Sequence, residues 1–95
     1  MALYITITGQ KHYFGLLPFV VGKMFSLVHE EENTFDAHSV AVYAPKYGKV
    51  GSVAQSPHTM ADGTVSAEAI LPLLAEHSRA RISFIAGDYI IAEIC

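Results

Sequence analysis

A cation and three flat rings follow one another at Lys11-His12-Tyr13-Phe14, bracketed by Gly9 and Gly15. Rings stack on nucleobases and an ammonium meets phosphate, so this combination suits single-stranded nucleic acid. The same residues read also as core aromatics at the end of a strand, and both readings stand at this point. A second cluster, Asn33-Thr34-Phe35-Asp36, adds a fourth ring and a carboxylate. Asn and Asp in such a place commonly fix a turn by accepting from backbone N–H groups.

Other chemistries find no support. His12, His29, His38, His58 and His77 are scattered, with no HxH, HExxH or CxxC spacing, so no zinc site is expected. The acidic run from Glu30 to Asp36 lacks the central glycine and alternating oxygens of a calcium loop. It reads as a solvated turn whose like charges discourage edge pairing. Ser56 and His58 are neighbours without a GxSxG elbow, Cys95 carries no sign of activation, and no GxxxxGK[ST] loop exists. No catalytic residue, metal or cofactor is assigned, and a non-enzymatic module is expected.

The elements that must position the two clusters follow from periodicity. Leu3 to Thr8 alternates, with Leu3, Ile5 and Ile7 on one face, and reads as a half-buried strand that Gly9 ends. The 10–15 stretch reads as a loop or distorted strand, and Pro18 and Gly22 break the apolar run after it. Lys23–His29 alternates again. Ser39–Ala44 and Lys49–Ala54 form a hairpin about Pro45-Lys46-Tyr47-Gly48. Ser56-Pro57 opens a single short turn. Ala67, Ile70, Leu71 and Leu74 make a helical stripe within Val65–His77, which Pro72 should kink or end early. Arg79–Ala86 and Tyr89–Cys95 make a second hairpin around Gly87-Asp88. The expected architecture is mainly β: a small antiparallel OB-like barrel of five or six strands with one or two short helices, forming one domain over residues 1–95.

Composition bounds the partners. Of the 95 residues, 52% are hydrophobic and 16% charged, which excludes a disordered chain. One cysteine allows no intrachain disulfide, and the N-terminal stretch has neither a basic start nor a long apolar run, so a cytoplasmic location is expected. No stretch is long enough to span a bilayer as a helix, and no membrane partner is expected. A net charge of −3 leaves no global attraction for nucleic acid, so any binding must rest on a local patch.

Taken in order, Gly9-Gln10-Lys11-His12-Tyr13-Phe14-Gly15, then Glu32 to Tyr43 with its N-x-[aromatic]-D core, then Lys49-Val50-Gly51-Ser52-Val53 resemble the HIRAN domain, over about Ile5 to Ile94. That module stands at the front of some SWI2/SNF2-type ATPases and also alone in bacteria. The resemblance implies a modified OB-like barrel and, as in one such ATPase, a site for the 3′ end of single-stranded DNA. There, rings stack on the terminal bases and the aspartate accepts from the 3′-hydroxyl. Carried over, the nucleic-acid-binding residues are Lys11, His12, Tyr13, Phe35 and Asp36. The eukaryotic pattern has arginine and two tyrosines where this chain has Lys11, His12 and Tyr13, and Gln55 stands near an expected basic position. A second expectation, from the negative charge and apolar content, is a protein-interaction or self-assembling module on the same scaffold, with a second copy of the chain as partner.

Overall fold

The computed structural model describes residues 2–33 and 36–95. Six strands close into an antiparallel barrel: β1 (Tyr4–Thr8), β2 (Met24–His29), β3 (Val40–Ala44), β4 (Gly48–Val53), β5 (Arg79–Ala86) and β6 (Tyr89–Ile94), in the order β1-β4-β3-β2-β5-β6. The β1–β6 pairing, Tyr4↔Glu93 through Ile7↔Ile90, closes the ring. Closure removes the unpaired edges that would otherwise template aggregation.

Alternation explains the core. Ile5 and Ile7 of β1, Phe25 and Leu27 of β2, Val40 and Val42 of β3, and Ile90 and Ala92 of β6 are buried. Two bulges shift the phase. In β4, Gly51 pairs with Val42 and Lys49 with Tyr43, so Val50 is an extra residue. The slip lets Val50 and Val53, three apart, both be buried. In β5 the pairing jumps between Ile82 and Phe84. As a result Ile82 is buried while Phe84 is 59% exposed, although plain alternation would put both on one face.

The outer face of β1 is covered as well. Thr6 is buried; its hydroxyl meets the Thr64 hydroxyl at 2.8 Å and accepts from the Ala61 N–H at 3.0 Å. The 61–65 segment does the covering and is tied down by the Val65 N–H to the Tyr4 carbonyl, 2.8 Å.

The helix is shorter than its apolar stripe. Ser66 caps α1 (Ala67–Ile70), its hydroxyl accepting from the Ala69 N–H at 3.2 Å. A 3-10 turn, Leu71–Leu73, follows and contains Pro72. Pro72 lacks the N–H that an α-helix would need there, so the helix ends early, as expected. Ala67 and Ile70 join the core, with Leu71 and Leu74 packed against it. Among the described residues no helix is long and apolar enough to cross a membrane.

Candidate nucleic-acid interface

The first motif is neither a strand nor a plain loop. Gly9 adopts φ 75°, a left-handed conformation that L side chains resist, and it turns the chain out of β1 into a single 3-10 turn, Gln10–His12. The Gln10 carbonyl accepts from Tyr13 N–H at 3.0 Å and Gly15 N–H at 2.9 Å, so the motif folds around one residue. Gln10 is itself buried, and its amide donates to the Asp88 carbonyl at 3.3 Å. This anchors the motif to the β5–β6 turn.

The anchored turn leaves the rings open. Tyr13 is 43% and Phe14 46% exposed, which sets aside the core-aromatic reading for both. Phe14 meets Tyr47 edge-on, with centroids 5.1 Å apart. Lys11 lies 3.8 Å from the Asp88 carboxylate, both well exposed, a contact that contributes little to stability. Lys11 and His12 line a shallow groove with Thr8, Gly9, Gln10 and Asp88.

Tyr13 takes part in a different contact. The Lys49 ammonium of β4 sits 5.5 Å from its ring centroid, within cation–π range. The same ammonium donates to Glu30 Oε2 at 2.9 Å, and the Ser39 hydroxyl donates to Glu30 Oε1 at 2.7 Å. The Lys49 hydrogen bond and ionic attraction, with help from Ser39, hold the Glu30 carboxyl below its ordinary pKa against a burial cost. Glu30 in turn raises the Lys49 pKa, with Tyr13 adding to it and burial opposing.

Asp36 stands in the loop between β2 and β3. Its backbone N–H donates to Asn33 Oδ1 at 3.0 Å, and its Oδ1 accepts from the His38 N–H at 2.9 Å. This is the turn-fixing role expected of Asn and Asp at such a place. Asp36 Oδ2 accepts from the Gln55 amide, which follows β4. A carboxylate offers about four acceptor positions, so these two bonds leave capacity for a ligand hydroxyl. Phe35, the ring assigned to this motif, lies outside the described residues.

The two motifs are therefore joined indirectly. From Tyr13 the contacts run to Lys49, then Glu30, then Ser39, whose N–H donates to the Asp36 carbonyl at 3.3 Å. Lys11 and His12 lie on the Asp88 side. Lys49 and Glu30 are the functional candidates that the sequence reading passed over as such. The only signals were Lys49 immediately before the Val50-Gly51 step and Glu30 opening the acidic run. Beside them, the residues from Val28 to Asn33 and Tyr43 line a groove with an acidic wall.

No family model matches the sequence, and no curated protein is a significant match. Two solved structures share the fold. A protein from Lactobacillus plantarum superposes with a TM-score of 0.68 at 15% identity, covering 99% of this chain and 91% of that one. The HIRAN domain of human HLTF superposes with a TM-score of 0.66 at 15% identity, covering 98% of this chain and 74% of that one. The fold is HIRAN-like.

Proposed function

We propose that this HIRAN-like barrel is a non-enzymatic nucleic-acid-binding module that takes the 3′ end of single-stranded DNA. The observation that carries the reading is the half-open Tyr13 ring with the Lys49 ammonium beside it, linked through Glu30 and Ser39 to the loop that holds Asp36. A base stacks on Tyr13, and on Phe35 from the second motif, for about 1–3 kcal/mol each. Lys11 and Lys49 meet phosphates, and His12 flanks the strand on the Lys11 side. Asp36 accepts from a free 3′-hydroxyl and repels a 3′-phosphate, which gives preference for an unmodified end.

Amide shifts in labelled protein test the location. Short oligothymidylate should move the signals of Lys11 to Phe14, Lys49 and Asp36 to Ser39. Shifts confined to the apolar groove around Phe84, Ile85 and Ile91 would remove the reading.

One observation favours the second reading, a self-assembling module. Leu17, Val21 and Phe84 are 72%, 60% and 59% exposed, and Val21 and Phe84 share an apolar groove with Ile85, Tyr89 and Ile91. Exposed apolar clusters of this kind mark contact surfaces. Light scattering at rising concentration separates the readings: mass doubling that Phe84→Ser abolishes supports assembly, and a constant monomer mass refutes it.

A further inference from the structure

Beside the ring proposed to stack a base stands a cation that is already occupied. Lys49 Nζ lies 5.5 Å from the Tyr13 centroid and 2.9 Å from Glu30 Oε2. The Lys49 and Glu30 side chains are 25% and 24% exposed, so solvent reaches both. The Ser39 hydroxyl holds the other carboxylate oxygen at 2.7 Å, which keeps Glu30 aimed at Lys49. A carboxylate oxygen in that position offers an ammonium what a phosphate oxygen would: an anionic acceptor at hydrogen-bond distance.

Resting on the nucleic-acid reading above, we propose that Lys49 is the phosphate-binding residue next to the stacked base and that Glu30 is an internal competitor occupying its place. An incoming phosphodiester displaces the Glu30 oxygen from Lys49. Glu30 stays bonded to Ser39 and turns toward the acidic groove, where the exposed Glu31 and Glu32 stand. The chain thereby discounts weak, non-specific phosphate contacts. A ligand must also stack on Tyr13 to compensate for breaking the pair.

The test is a set of anisotropy titrations with a 5′-labelled oligothymidylate bearing a free 3′-hydroxyl. It uses the wild type, Glu30→Gln, Lys49→Met, the double variant and Tyr13→Ala, with melting curves confirming the fold of each. Glu30→Gln keeps an oxygen for Ser39 and removes the charge that holds Lys49. It should bind about two- to fivefold tighter, the range of a partly exposed ion pair. Its logarithmic salt slope should stay close to that of wild type, because Lys49 meets the same phosphate in both once Glu30 is displaced. Lys49→Met should bind more weakly than wild type, and the double variant should match Lys49→Met. If wild type binds and Tyr13→Ala does not, yet Glu30→Gln binds equally or more weakly, the competitor role fails and the stacking site stands. If neither wild type nor Glu30→Gln binds at low salt, both fall.

Discussion

At the scale of single residues, two acids have different duties. Asp36 fixes its own turn through His38 and receives Gln55. Asp36→Ala should therefore cost about 1 kcal/mol of stability, as lost capping bonds do, and should also erase the preference for a 3′-hydroxyl over a 3′-phosphate. Urea denaturation reads the first and binding to the two ends reads the second. A stability loss with the end preference intact would leave Asp36 a turn residue only. Glu30 and Lys49 carry a pH signature. The Glu30 pKa is lowered from 4.5, so its contribution to stability is present above that value and is lost as pH falls through the folded-state pKa. The Lys49 pKa is raised from 10.5, so its contribution is complete below that value and is lost as pH rises through the folded-state pKa. The stability difference between wild type and Glu30→Gln should be flat near neutrality and shrink in acid; denaturation midpoints at several pH values check it. The residue types of both motifs marked them as candidates in the sequence, and the structure leaves Tyr13 open and seats Asp36 in its turn. The Lys49–Glu30 pair was not legible there, because its partners lie 19 positions apart and meet only across the barrel surface.

At the scale of elements, the hairpins were the most legible part. The turn at Gly87-Asp88 placed β5 and β6 within a residue of where they lie. What alternation could not reveal were the bulges, which reverse which residues face inward beyond Val50 and Ser83. It also missed the burial of Thr6, whose cover comes from a segment more than fifty positions away. The Val50-Gly51 step has a physical basis in the close approach of β4 to the end of its neighbour β1. A Cβ on Gly51 would stand 2.9 Å from the Thr8 carbonyl oxygen and 3.0 Å from Ile7 Cγ2. The first neighbour is backbone and yields little, so Gly51→Ala should destabilise the barrel by about 1–3 kcal/mol, the usual cost of overpacking. Thermal or urea unfolding measures it, and an unchanged midpoint would mean that β4 and β1 separate without penalty. Because Thr8 leads directly into Gly9, that strain would also shift the first motif.

At the scale of the whole molecule, a net charge of −3 sets the style of binding. Long-range steering is absent, and in the proposed mode affinity rests on stacking plus two local lysines, Lys11 and Lys49. Neutralising one or two phosphates on a single strand gives a logarithmic salt slope of about −0.7 to −1.4, with affinity roughly micromolar or weaker. A much steeper slope in wild type would mean a basic surface that this chain does not carry. Buried Gln10 ties the Gly9 turn to the β5–β6 turn, and the Tyr13 ring stands open beside it. The most direct measurement is a paired titration of two oligonucleotides identical except at the 3′ terminus, hydroxyl against phosphate, followed by anisotropy at low salt. A site in which Asp36 accepts from the terminal hydroxyl should bind the hydroxyl end clearly and the phosphate end several-fold more weakly. Equal binding of both ends, or no binding of either, would contradict it.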